Sequence, residues 1–388
     1  MRPATQIVEG SHGADRDAAP LATPIYETTT FVFDSAEQVR AYNEGRSGRY
    51  LYSRYSNPTV VAVEETLARL EGADSALLFA SGMAATSTAL LALLQSGDEV
   101  VCSAAIYGGT LHLLDDLFPR YGIRPRFVSI EDLQDPARII GDRTKVVWFE
   151  SPINPTLRCV DIAAVASACR ARGVISIVDN TFASPLNQQP LALGIDLVMH
   201  SVTKYLNGHS DVTAGALAGS PRLMKEIEKA RRMLGPVVDP QAAYAIGRGV
   251  KTLAVRVERH NVNALAVARW LEQKGRRIEA VYYPGLESHP DHALAKTQMR
   301  GFGGMVCVDV GGGQARAERF FDRLKVFKRA ASLGGVESLC SLPVLTSQWG
   351  HTDVQLAQAG ITRSMARLSV GLEDVQDLIE DLDQALNP

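Results

Sequence analysis

Six short runs, ALLF (76–79), EVVCS (99–103), RFVSI (126–130), KVVWFE (145–150), VISIVD (174–179) and DLVMHS (196–201), are apolar over most of their length, and amphipathic stretches separate most of them. A strand that is apolar on both sides leaves no face for water. Such strands, spaced by helices, predict a mostly parallel α/β sheet covered on both faces. In open sheets of this kind ligands lie at the carboxyl ends of the strands, which tells where to look for chemistry.

The 388 residues exceed what a single small core needs and predict two or three packed units. Residues 1–55 show little periodicity and read as an extended arm. A helix then begins with Asn57 as its cap and Pro58 in its first turn, and Gly72 ends it. The large α/β unit is expected over 56–245. Residues 246–388 change rhythm: GGMVCVDV (303–310), a helix near 314–325, ARLSVG (366–371) and a final helix predict a smaller α+β unit. Lys+Arg of 40 against Asp+Glu of 43 gives a net charge of −3, without the basic excess that suits nucleic acid or an anionic membrane. No run of about 18 apolar residues suggests a membrane span, and the first residues lack a secretory core, so a cytoplasmic location is expected. Five scattered cysteines do not suit a disulfide framework. His289 and His292 have a metal-like spacing but lie in a Pro-flanked loop and read as surface histidines, so no metal is expected.

Three motifs follow strands. Ala80-Ser81-Gly82-Met83 opens a helix after ALLF, where free backbone N–H groups suit an anion, although a plain tight turn gives the same pattern. Asp179 ends VISIVD, where a carboxylate needs a cation or serves as a helix cap. A protonated pyridine nitrogen is one such cation. In HSVTKYLNGHSD (200–211), Lys204 follows a strand beside Ser201 and Thr203, the place for a Schiff-base lysine or for a solvated one. Together they describe one site: a phosphate cup, a lysine and a pyridinium carboxylate. The run Gly311-Gly312-Gly313 lacks dinucleotide-binding spacing and reads as a turn.

With YSRYSNPT, FASGMAA, YGGT, ESPINPT, VDNTF, HSVTKYLNGHSD, SLGGVESL and RLSVGLED in order, the chain resembles the pyridoxal-phosphate enzymes of cysteine and methionine metabolism, most of all the cystathionine γ-lyases. The resemblance runs from about residue 5 to the C-terminus. It implies the fold-type I, aspartate-aminotransferase-like architecture and pyridoxal 5'-phosphate as cofactor. By that resemblance Lys204 holds the cofactor and moves protons, and Tyr107 stacks on the ring as an acid/base. Gly82, Met83, Ser201 and Thr203 hold the phosphate, and Asp179 meets the ring nitrogen. Tyr52 and Arg54 reach the phosphate of the neighbouring subunit, which implies a homotetramer of site-sharing dimers. Arg367, Asn154 and Ser332 are expected to take the substrate α-carboxylate.

The resemblance implies a carbon–sulfur lyase acting by γ-elimination on cystathionine, or on homocysteine, cysteine or methionine. The alternatives are γ-replacement, as in cystathionine γ-synthases and O-acylhomoserine sulfhydrylases, and a cofactor-binding homologue without turnover. Gly109 stands where methionine γ-lyases carry cysteine. Glu337 matches a glutamate of cystathionine-handling members and is expected to favour a distal ammonium group. His112 replaces an arginine expected to meet a distal carboxylate, and imidazole is the weaker partner. Trp349 is read either as narrowing the substrate entrance or as packing.

Overall fold

The computed structural model describes residues 2–9, 20–275 and 278–387. Its larger sheet holds β1 (Ser75–Phe79), β2 (Glu99–Ser103), β3 (Arg124–Val128), β4 (Thr144–Glu150), β5 (Ile175–Asp179), β6 (Leu197–His200) and β7 (Gly215–Gly219), in the spatial order β1-β7-β6-β5-β4-β2-β3. Strands β3, β2, β4, β5 and β6 run parallel. β7 is antiparallel to both its neighbours, β1 and β6. All six strands expected from the sequence are present. β7 is the one that was missed. Its sequence, GALAG, has no β-branched or aromatic side chain, so it reads as a loop, yet it is buried at every position. Pro125 delayed the expected start of the third strand. It is tolerated because β3 is the edge of the sheet and the proline's missing N–H faces outward.

Buried side chains cover the sheet on both faces. Phe79, Leu90, Trp148 and Leu217 belong to one core, and Val101, Phe149, Val165 and Val198 to another. Helix limits follow the local signals. Asn57 accepts the N–H of Thr59 at the head of Pro58–Glu71, and Asp161 caps Ile162–Arg172 through Ala164.

A second sheet, in the order β10-β11-β12-β9-β8, is built from β8 (Ala280–Tyr282), β9 (Met305–Asp309), β10 (Lys328–Arg329), β11 (Leu339–Ser341) and β12 (Met365–Ser369). The expected runs supplied β9 and β12. The glycine run 311–313 does form the turn from β9 into the helix Gln314–Arg323. The long helical region divides into Pro240–Val250 and Leu253–Glu272. The second of these serves two cores: Leu253 and Val257 pack with the large unit, whereas Ala264, Val267 and Leu271 pack with the small one.

The first residues differ from the expected extended arm. Pro3–Glu9 is helical, and Ile7, only 1% exposed, is buried in the core beside Val60 and Leu67. A single apolar side chain thus anchors what the polar composition made look unattached. Further on, residues 28–33 and 50–53 run side by side, with a bridge between Thr30 and Tyr52 and a hydrogen bond from Phe31 N–H to Leu51 O. His289 is buried rather than superficial, and its Nδ1 accepts the Asp291 N–H. The loop that carries it folds back on itself, which loop composition alone does not reveal. All five cysteines are buried and free.

Candidate active site

A cavity of about 280 Å³ lies at the carboxyl ends of the strands, lined among others by Gly82, Tyr107, Asp179, Ser201, Lys204 and Arg367. Its floor begins at β1. The strand turns through Ala80 and Ser81 into the helix Gly82–Leu93, whose N-cap Ser81 accepts the N–H of Ala84 through its side chain. Ala85 bonds back to Ser81 O, which leaves the N–H groups of Gly82 and Met83 as the orphan donors of the first turn. A Cβ at residue 82 would sit 3.1 Å from both Cβ and Oγ of Ser201, so only glycine leaves this cradle open. Thr203 also faces the cavity, but its hydroxyl donates to Ala214 O and accepts the Ala214 N–H.

Lys204 stands opposite, in the turn after β6. Its Nζ donates to Ser332 Oγ at 2.9 Å. Burial lowers its pKa, and the charge of Arg367 lowers it further, so the amine is held toward its neutral, nucleophilic form. Arg367, on β12, is buried. Its Nη1 donates to Asn154 Oδ1 at 3.1 Å and its Nη2 to Ser332 O at 3.2 Å, while Nε is left without a partner. This fork suits a planar carboxylate.

Asp179 ends β5 and faces the cavity, accepting the Thr181 N–H through Oδ1 at 3.0 Å. Burial raises its pKa, opposed by its bonds with Thr181 and by the field of His200. Glu150, at the end of β4, is its register partner and also lines the cavity. Burial, and then the Asp179 charge, push Glu150 up to about 8. Its Oε1 accepts the backbone N–H of Tyr107 at 2.6 Å.

Tyr107 is 50% exposed at the mouth of the cavity. Its ring covers the open side of Gly109: a Cβ there would lie 2.6 Å from Tyr107 Cε1 and 2.9 Å from Met83 Sδ.

Several residues singled out in the sequence, among them the five that follow, do not line this cavity. His112 has 71% of its side chain exposed and pairs with Asp116, one helical turn on. Glu337 accepts a hydrogen bond from the Ser210 hydroxyl. Tyr52 and Arg54 lie off the chain's own cavity: the guanidinium of Arg54 sits over the Tyr55 ring and donates to Arg232 O at 2.6 Å. Trp349 is 73% exposed in the segment that also places Ser347 O 3.0 Å from a Cβ built on Gly108. Sequence reasoning passed over Glu150 and Thr181. Glu150 carried the same signal as Asp179, an acidic residue closing an apolar strand.

The residues fit a phosphorylated pyridine aldehyde. There are orphan N–H donors at a glycine cradle for the phosphate, an amine depressed by burial for the aldehyde, and a half-buried carboxylate facing the cavity for the ring nitrogen. A sheet of this order with these groups at its carboxyl ends is that of a fold-type I pyridoxal-phosphate enzyme. Residues 4–387 match the family described as Cys/Met metabolism PLP-dependent enzymes, and the chain belongs to that family. It is 40% identical to L-methionine gamma-lyase of Pseudomonas putida over 99% of this chain and 96% of that one. It is 42% identical to cystathionine gamma-lyase of Dictyostelium discoideum, covering 99% and 97%. A cystathionine gamma-synthase of Mycobacterium tuberculosis is 43% identical, covering 99% and 96%. Among solved structures, cystathionine gamma-lyase from Lactobacillus plantarum, complexed with L-serine, superposes with a TM-score of 0.93 at 36% identity, covering 99% of this chain and 98% of that one.

Proposed function

We propose that the protein is a carbon–sulfur lyase that cleaves the γ-carbon–sulfur bond of sulfur amino acids, with cystathionine as substrate and cysteine, 2-oxobutyrate and ammonia as products. The observation that carries this reading is the meeting of Lys204, Tyr107, Asp179 and Arg367 around one cavity at the strand ends. Pyridoxal phosphate, when bound, supplies the electron sink for charge that develops at the substrate carbons. The N–H groups of Gly82 and Met83, with Ser201 and Thr203, would hold its phosphate, and Asp179 would meet the ring nitrogen and favour its protonated form.

Lys204 would hold the cofactor through its aldehyde, and its amine, lowered in pKa by burial, is the base placed to take the substrate's Cα proton and to carry protons at Cβ. Arg367, with Asn154 and the Ser332 backbone, fixes the α-carboxylate and so aligns the Cα–H bond with Lys204. Tyr107, at the mouth of the cavity, would stack on the ring and is the acid placed to give a proton to the departing sulfur.

Tyr52 and Arg54 are free of their own cavity, which supports their service to a neighbouring subunit in a homotetramer of site-sharing dimers. The same reading treats 1–55 as the arm, 56–245 as the cofactor-binding unit and 246–388 as the smaller unit. Among the described residues no helix is long and apolar enough to cross a membrane. We place the enzyme in the cytoplasm.

The likeness to cystathionine gamma-synthases at 43% identity favours a second reading, γ-replacement, with the same residues and a thiol entering in place of hydrolysis. His112, turned to Asp116, does not offer a distal carboxylate the contact expected of it. Incubation of cofactor-loaded protein with L-cystathionine alone, with products identified by mass, is the test. Cysteine with 2-oxobutyrate is expected. Homocysteine with pyruvate overturns the reading in favour of β-cleavage. Turnover only of an O-acylhomoserine with a thiol overturns it in favour of replacement.

A further inference from the structure

Glu150 and Asp179 are Cα partners on adjacent parallel strands, so they leave the sheet on the same face from backbones about 4.8 Å apart. Both line the cavity. The hydrogen bonds that reach them come from uncharged groups: the Tyr107 N–H and the Asn154 backbone on Glu150, and Thr181 on Asp179. Two carboxylates this close, drawn out of water, do not both stay ionised.

The surroundings decide which one keeps the charge. Asp179 has the Thr181 N–H and hydroxyl, and beside it His200, which is buried and bonded to Glu71. His200 follows Met199, the register partner of Asp179 on β6. Glu150 has Asp179 on one side and, toward β2, the buried Cys102, a thiol kept neutral by burial, so no cation among the described residues lies on that side. Across the cavity, Lys204 and Arg367 are engaged with Ser332 and Asn154.

We propose that Glu150 and Asp179 carry a single proton between them, held on Glu150, and that Glu150 is thereby a positioning residue for the cofactor. It leaves Asp179 as the anion that meets the ring nitrogen. Its other oxygen ties down the backbone of Tyr107, so that one neutral carboxyl sets the ring's electrostatic partner and anchors the residue that stacks on it. The proposal rests on the assignment of Asp179 to the ring nitrogen.

The test uses holoenzyme and three variants. In the infrared difference between wild type and Glu150→Gln, a protonated-carboxyl stretch present in the wild type at neutral pH and absent from the variant is expected, and in the wild type it fades as the pH is raised. Glu150→Ala is expected to weaken cofactor binding about tenfold, roughly the loss of one buried hydrogen bond. Glu150→Gln, which keeps a neutral acceptor for the Tyr107 N–H, restores binding to near the wild-type value. Asp179→Asn weakens binding more than Glu150→Ala does. Absence of the carboxyl stretch, or binding by Glu150→Gln as weak as by Glu150→Ala, overturns the proposal while leaving Asp179 in its role. Binding by Asp179→Asn as tight as by wild type overturns the Asp179 assignment, and the proposal with it.

Discussion

At the scale of single residues, the site depends on charges held away from their ordinary states. Lys204 is lowered by burial first and by Arg367 second. Because its folded pKa lies below the unfolded one, the unfolded chain binds more protons between those two values, and the contribution of Lys204 to stability rises with pH across that window. Below the folded value the full cost of charging the buried amine is present. The substitution Arg367→Gln removes the second cause, so the amine should hold its proton to a higher pH. The acid limb of cofactor capture by the apoprotein is then expected to move to higher pH, followed by absorbance after mixing; an unmoved limb would show that burial alone sets the amine. Gly109 gives a second test. A methyl group there meets the Tyr107 ring at 2.6 Å, and the ring must shift. Gly109→Ala is expected to lower kcat about tenfold while cofactor affinity holds, as measured by steady-state kinetics and cofactor titration.

At the scale of elements, the helix Leu253–Glu272 joins the two units. Its Arg256 is buried and meets no carboxylate in its hydrogen bonds. It donates instead to Tyr205 O at 2.7 Å, Gly249 O at 2.9 Å and Leu206 O at 3.3 Å, gripping the turn that follows Lys204. A Cβ on Gly208, which has φ +75°, would lie 2.0 Å from the same guanidinium, so glycine is required where arginine and turn meet. Arg256→Met leaves several carbonyls unpaired and should cost about 3 kcal/mol or more. The checks are the urea midpoint of the apoprotein and the rate of cofactor loss from the holoenzyme, both expected to worsen. None of this was legible in the sequence, where Arg256 is one of many helical arginines. The strands, the caps at Asn57 and Asp161, and the placing of Gly82, Asp179 and Lys204 at strand ends were legible because each depends on near neighbours in the chain. β7 and the helix at Pro3–Glu9 were not. GALAG is a strand only because β1 and β6 lie on either side of it, and Ile7 is buried only because distant helices cover it. His112 and Glu337 show the same limit from the other side: their positions in the chain pointed to the substrate's distal groups, but their side chains turn to Asp116 and Ser210.

At the scale of the molecule, the proposed sharing of sites between subunits has a distinctive consequence when two defective chains are mixed. Lys204→Ala removes the lysine of its own cavity, and on that proposal Arg54→Ala damages only its neighbour's. A mixed dimer then has one cavity with both defects and one with neither. Co-refolding equal amounts is expected to recover about a quarter of wild-type activity from two nearly inactive parents. No recovery would place Arg54 in its own subunit's service. The sheet order also has a temporal meaning. β1, which leads into the phosphate cradle, pairs with β7 alone, and β7 comes after every other strand of that sheet. As the chain leaves the ribosome, the cradle therefore waits with an unpaired edge until residue 219 has emerged. A nascent chain cut off short of β7 has Lys204 and Asp179 but no closed sheet to set them against the cradle, so cofactor capture waits at least until residue 219 is out.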